Sequence, residues 1–177
     1  MTDDTRKHSD HLILIGFMGS GKSTVARRIA RNEEMVSVDM DTYIAREAGM
    51  SIPQIFQLEG EDGFRAREHA FLVHMKTSDR CILSCGGGVV TRAENRQLLK
   101  NLGTVIYLEV TAEEALSRIS HPESRPMLSG STSPAELLEK RRALYEETAD
   151  IIFNTNGLTI NQVTSRLTYL LKKRGIL

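Results

Sequence analysis

The chain has little cysteine, no excess of either charge and no long apolar run, and each lack closes off a class of protein. Its two cysteines, Cys81 and Cys85, stand four residues apart with no others to complete a zinc set. A disulfide framework or structural zinc site needs partners that this sequence lacks. Both read instead as small apolar residues in or beside a buried strand, in a reducing compartment. Lys plus Arg and Asp plus Glu number 23 each, so no global field draws the protein to nucleic acid or to an anionic membrane. An anionic ligand must then be held by a local arrangement of cations. No stretch approaches the roughly 20 apolar residues of a membrane span. Met1–Asp10 is polar and of mixed charge, unlike a signal or transit peptide. It reads as a frayed tail on a cytoplasmic protein.

What is present fits one soluble domain. At 177 residues, 40% apolar and 26% charged, the chain has the size and composition at which a single core buries most of its apolar surface. No repeat or linker divides it, so residues 1–177 are expected to form one unit. Short aliphatic and β-branched runs at 12–15, 36–38, 81–84, 104–108 and 151–153 alternate with longer helical patterns. That is the signature of an α/β fold with a parallel sheet. Several runs are continuously apolar, as expected when helices cover both sheet faces. Capping-box spacing at Thr91/Glu94, Thr111/Glu114, Ser133/Glu136 and Thr159/Gln162 marks helix starts, with Pro134 at a favoured first position. Gly49 and Gly60 read as helix stops. Segment 120–133 (SHPESRPMLSGSTS) is too polar for core, and both a loop over a ligand site and an inert connector fit it.

The chemistry concentrates in a few places. Gly16-Phe17-Met18-Gly19-Ser20-Gly21-Lys22-Ser23 matches the phosphate-loop pattern G-x-x-x-x-G-K-[ST] in full, with a strand before it and a helical pattern after it. The glycines let successive backbone N–H groups turn inward around phosphates, and the helix N-terminus adds its partial positive charge. Lys22 suits the β- and γ-phosphates of ATP and the Ser23 hydroxyl suits Mg²⁺. Asp39 and Asp41 follow the second strand, at the end where open α/β sheets bind ligands. An extended segment would point both carboxylates the same way; the competing reading is a helix N-cap, which needs only one of them. Gly86-Gly87-Gly88 follows the third strand and fits a tight turn or a close approach to a ligand. Arg65 sits one step off the apolar stripe Phe64, Phe71, Leu72 and Met75 and, taken alone, reads as a surface arginine. Arg125 precedes Pro126 in the polar loop, where an arginine can neutralise charge on a transferring phosphoryl group. Arg141 fits a site or a solvated helical face equally well.

Together these residues resemble one family. The phosphate loop, Asp39-Met40-Asp41, Phe64-Arg65, Gly86–Gly88, Ser124-Arg125-Pro126, Arg141 with Leu144-Tyr145, and Asn154-Thr155-Asn156 occur in the order found in shikimate kinases. The likeness runs from about Leu12 to the C-terminus. It implies a nucleoside-monophosphate-kinase-like P-loop fold: three α/β/α layers, a five-stranded parallel sheet, an acceptor region near 39–76 and a lid near 120–133. It implies ATP-dependent phosphorylation of the 3-hydroxyl of shikimate in aromatic amino-acid biosynthesis, by a monomer without nucleic-acid or membrane partners. ATP would lie on Gly19, Ser20, Gly21, Lys22, Ser23, Thr24, Arg118 and Arg125, with Arg118 against the adenine. Shikimate would lie on Asp41, Arg65, Gly86, Gly87, Gly88 and Arg141. Lys22, Asp41 and Arg125 would be catalytic, and Mg²⁺ would bind Ser23 directly and Asp39 through water. Arginine forks match the planar carboxylate of shikimate, each such hydrogen bond contributing about 1.5–3 kcal/mol. The sequence departs from the family at Met40 and Cys85, where threonine is common, and at Ile160, where proline is often seen.

Rival readings explain less. A gluconate-type kinase accounts for the phosphate loop but not for the triple glycine with all the arginines. A GTP-dependent switch would need N-K-x-D and D-x-x-G motifs, which are absent. A silent relative is disfavoured by the intact Lys22, Asp41 and Arg125.

Overall fold

The computed structural model describes residues 10–119 and 133–177. At its centre are the strands β1 (His11–Ile15), β2 (Ser37–Asp39), β3 (Ile82–Ser84), β4 (Gly103–Glu109) and β5 (Ile151–Asn154). They form one five-stranded sheet in the order β2-β3-β1-β4-β5, and every pairing is parallel. Around it lie α1 (Lys22–Asn32), α2 (Met40–Ala48), α3 (Ile52–Met75), α4 (Ala93–Leu102), α5 (Ala112–Ser117), α6 (Pro134–Thr148) and α7 (Ile160–Lys173), with a 3₁₀ turn at Val89–Thr91. None of these helices is long and apolar enough to cross a membrane.

Strand periodicity sorts the core into two halves. Successive side chains leave a strand on opposite faces. Ile13 and Ile15 of β1 therefore join Val105 and Tyr107 of β4 on one face, packed under α2, α3, α4 and α6. Leu12, Leu14, Ile106 and Leu108 face the other way, against Val25 and Ile29 of α1 and Val163, Leu167 and Leu171 of α7. The expected three-layer α/β/α architecture is thus present. Burial of each large aliphatic side chain contributes roughly 1.5–3 kcal/mol. The chain leaves β1 toward β2 and β3 on one side and later toward β4 and β5 on the other, so a crevice opens beyond the carboxyl end of β1.

Helix ends follow local chemistry, with instructive exceptions. Ser133/Glu136 and Thr159/Gln162 make full reciprocal capping boxes, each such cap being worth about 1 kcal/mol. Ser51/Gln54 makes another at the start of α3. Thr111 accepts from the Glu114 N–H, but its own N–H goes to Asn156 Oδ1 at 2.8 Å, and the Glu114 carboxylate serves the Gly157 N–H instead. The expected cap at Thr91 does not form. Its hydroxyl donates to the Gly88 carbonyl at 2.8 Å to close the glycine turn, and α4 begins two residues later without a side-chain cap. Gly49 ends α2 in the left-handed conformation. Gly60 interrupts α3 with non-helical angles, so the element is two helical pieces joined at a kink.

One buried histidine ties three segments. His11 is fully buried; its Nδ1 accepts the Cys81 N–H at 3.1 Å and its Nε2 lies 3.0 Å from the Met75 carbonyl. A backbone N–H can only donate, so the ring proton must sit on Nε2 and donate to Met75. Burial raises the neighbouring Cys81 thiol to about 11, leaving it an unreactive packing group. Replacing His11 by Ala would leave the buried Cys81 N–H without its acceptor, costing about 1–3 kcal/mol, and would empty the space of a fully buried ring, while the Met75 carbonyl keeps the Ser78 N–H. We expect His11→Ala to lower the unfolding free energy by roughly 3 kcal/mol in urea titration, whereas Tyr169→Ala, at an exposed position of α7, should change it by under ~0.5 kcal/mol.

Candidate active site

The crevice beyond β1 holds a cavity of about 760 Å³. Lining it are Gly19, Gly21, Lys22, Ser23, Thr24, Asp39, Asp41, Arg65, Gly86, Gly87, Gly88, Arg118 and Arg141, so the structure gathers nearly all the residues singled out from the sequence. Ser20 is buried just behind the wall. Arg125 and almost all of the expected lid, 120–133, lie outside the described residues.

The phosphate loop links β1 to α1. Gly19 has φ 76°, and a Cβ there would stand 2.2 Å from the Ala115 carbonyl oxygen of α5. Only glycine permits that conformation against that neighbour. Lys22 is buried, and its ammonium donates to the Phe17 carbonyl at 2.7 Å and the Ser20 hydroxyl at 3.2 Å. These bonds fold the lysine over the loop whose N–H groups would meet phosphate.

Asp39 serves two elements at once. It ends β2 and caps α2, accepting from the Thr42 N–H and hydroxyl on Oδ1, both at 3.0 Å. Its Oδ2 accepts from the Ser23 hydroxyl at 2.6 Å, with the Ser84 hydroxyl 3.1 Å from that of Ser23. Burial alone would raise this carboxyl, but the hydrogen bonds from Ser23, Thr42 and Ser84 outweigh it and hold the pKa below the usual carboxylate value. The cap reading holds for this residue, which also lines the cavity. The expectation of an extended Asp39–Asp41 segment does not: Asp41 lies in the first turn of α2. Both still line the cavity because the strand-to-helix corner faces it.

Arg65 is not a surface residue. Only 4% of it is exposed, and its guanidinium donates to Glu68 Oε2 at 2.7 Å and to Glu61 Oε1 at 3.1 and 3.3 Å. It fits because Gly88 carries no side chain: a Cβ there would stand 2.1 Å from an Arg65 nitrogen. Glu68, fully buried, was not identified from the sequence. Its Arg-to-Glu spacing of three along a helix was the available signal. Glu68 Oε1 has no hydrogen-bond partner among the described residues. Together with Asp41 Oδ1 it borders Gly86, where a Cβ would meet the two oxygens at 2.8 and 2.9 Å. Burial raises the Glu68 carboxyl to about 7; Arg65 opposes the shift, and the Asp41 charge adds to it.

The other two arginines are also held. Arg141, on α6, is 5% exposed and does not belong to a solvated face. Arg118, at the end of α5, donates to the Thr155 carbonyl at 3.0 Å and the Thr155 hydroxyl at 3.3 Å and pairs with Glu114. Thr155 is anchored in turn, its N–H and hydroxyl both donating to the Glu109 carbonyl. The Asn154-Thr155-Asn156 segment therefore works as a bracket for Arg118. Beside this arginine the cavity wall turns apolar, with Leu158, Ile160 and Val163, which suits a flat heterocycle.

The chain is also similar over most of its length to known proteins. Residues 18–172 match the family model described as shikimate kinase. A shikimate kinase of Vibrio campbellii is 39% identical over 168 residues, covering 93% of this chain and 97% of the relative. Among solved structures, a shikimate kinase from Acinetobacter baumannii in complex with shikimate has a TM-score of 0.87 at 33% identity, covering 97% of each chain. The shikimate kinase from Aquifex aeolicus has a TM-score of 0.79 at 30% identity, covering 94% of this chain and 98% of that one. Sequence, fold and the gathering of these side chains agree, and the chain belongs to the shikimate kinase family.

Proposed function

We propose that this protein transfers the terminal phosphoryl group of ATP to the 3-hydroxyl of shikimate, giving shikimate 3-phosphate and ADP for aromatic amino-acid biosynthesis. The observation that carries the reading is the pair of buried guanidiniums, Arg65 and Arg141, on different helices in the cavity that the phosphate loop opens into. Two planar forks facing one cavity suit a small carboxylate. In this reading the whole chain acts as one domain, with the acceptor on the side of residues 39–76.

Each residue then has a task. Gly19 to Thr24 cradle the phosphates and Lys22 neutralises charge on the β- and γ-oxygens. Arg65, Arg141 and the Gly86–Gly88 backbone hold shikimate, Arg118 borders the adenine, and Arg125 completes the charge neutralisation. Asp41 orients the 3-hydroxyl and accepts its proton as the oxygen–phosphorus bond forms and the bond to ADP breaks. Because that transition state is loose, orientation matters more than basicity. The Ser23 hydroxyl and the Asp39 carboxylate, already 2.6 Å apart, are hard oxygen donors of the kind magnesium takes. Ser23 would hold the ion directly and Asp39 through water. The ion, when bound, draws charge from the phosphate oxygens.

The direct test is ADP release from Mg-ATP with shikimate, with gluconate, and with no acceptor. Turnover with shikimate alone is expected; turnover with neither acid would overturn the reading. Lys22→Ala and Asp41→Asn should each cut kcat by at least about 100-fold, with melting temperatures within a few degrees of wild type. Normal turnover in either variant removes that residue from the mechanism.

Glu68 gives the fold a pH signature. Its pKa of about 7 lies above the ordinary value of 4.5, so the folded state holds the proton more tightly than the unfolded chain. The stability this group contributes is full below about 4.5 and is lost as pH rises through about 7. Urea titrations from pH 5 to 8 should show the unfolding free energy of wild type falling relative to Glu68→Gln. Parallel pH profiles for the two proteins would show that Glu68 does not titrate there.

A further inference from the structure

Behind the glycine turn sits a tyrosine to which the proposed mechanism gives no task. Tyr145 is fully buried on α6, one helical turn after Arg141 and so on the same helix face. Its ring stacks on Tyr107 of β4 at a centroid distance of 5.0 Å and an interplanar angle of 22°. The phenolic hydroxyl donates to the Gly87 carbonyl. Burial drives the phenol pKa far upward, and the nearby positive charge of Arg141 opposes that shift.

The polarity of this arrangement is forced. A guanidinium only donates and a carbonyl only accepts. The single phenolic proton therefore goes to Gly87, so the oxygen lone pairs, not the proton, are what the neighbouring Arg141 charge can meet. In a trans peptide the C=O and the following N–H point in opposite directions, so anchoring the Gly87 carbonyl also directs the Gly88 N–H away from the tyrosine. One oxygen atom thus ties the glycine turn of the cavity wall to α6, the helix that carries Arg141.

We propose that Tyr145 is a positioning residue of the acceptor site, holding the Gly87–Gly88 peptide in place against Arg65 and beside the helix that carries Arg141, and thereby setting the fit of a small carboxylate-bearing acceptor. This rests on the assignment of Arg141 and the glycine turn to shikimate. Tyr107 is the built-in control. It has the same ring in the same stack, but its hydroxyl makes no hydrogen bond among the described residues.

The test compares Tyr145→Phe and Tyr107→Phe with wild type by two readouts. The first is amide hydrogen exchange at Val89 and Thr91, whose N–H groups close the glycine turn on the Gly86 and Gly88 carbonyls. The Cys85 amide, bonded to Leu14 in the sheet, is the internal reference. Tyr145→Phe should exchange about 10-fold faster at Val89, with Cys85 unchanged. The second readout is steady-state kinetics: the KM for shikimate should rise about 10-fold, as for leaving a part-buried carbonyl without its donor, while the KM for ATP stays within about two-fold. Tyr107→Phe should match wild type in both. Unchanged Val89 exchange in Tyr145→Phe, or the same changes in Tyr107→Phe, would overturn the proposal. The exchange arm needs no substrate. A wild-type protein inactive on shikimate would thus defeat the functional reading, while exchange still decides the role of Tyr145 in the turn.

Discussion

Burial of positive charge governs this molecule. Lys22, Arg65 and Arg141 are each at most 8% exposed, in a chain with no net charge. Removing a cation from water costs several kcal/mol unless partners replace the solvent. The surrounding structure supplies those partners. Loop oxygens take Lys22, two glutamates take Arg65, and a phenol stands beside Arg141. The sheet order and the kinked α3 matter to function because they bring these partners to one crevice. The cations are oriented before any anion arrives, and such preorganisation reduces the cost of binding.

The fold reaches this arrangement with few long-range devices. Parallel pairing leaves the carboxyl ends of β1, β2 and β3 side by side, so the phosphate loop, the aspartates and the glycine turn emerge together. The His11 ring then pins the far end of that sheet to α3 and to the start of β3. One end of the sheet is locked by apolar packing and a neutral ring, and the other is left polar and open.

How much of this could be read from the chain alone depended on how local the determining chemistry was. The phosphate loop was legible because eight contiguous residues carry its geometry, and the strands because their apolar runs are short and well punctuated. Arg65 and Arg141 read poorly alone. Their burial depends on residues distant in sequence: Gly88 leaves room for one, and both share a cavity that only the sheet order assembles. Thr91 and Glu94 had the right spacing for a cap and failed, because a tertiary demand, closure of the glycine turn, took the threonine hydroxyl. Ser51 and Gln54 formed one that the sequence reading had passed over. Glu68 and Tyr145 went unassigned since neither belongs to a phosphate-binding pattern; one matters through Arg65 a turn away, the other through the glycine turn its hydroxyl holds.

The double service of Asp39 has a mechanical corollary. Its two oxygens are rigidly joined, one held by the hydroxyl that opens α1 and the other by the first turn of α2. The carboxylate cannot swing toward one without turning from the other. It is a rocker between the start of α1 and the helix that carries Asp41. A pull on Ser23 is felt at the start of α2, and by reciprocity a shift of α2 is felt at Ser23. Two helices are thus joined through a single carboxyl group with a partner on each side.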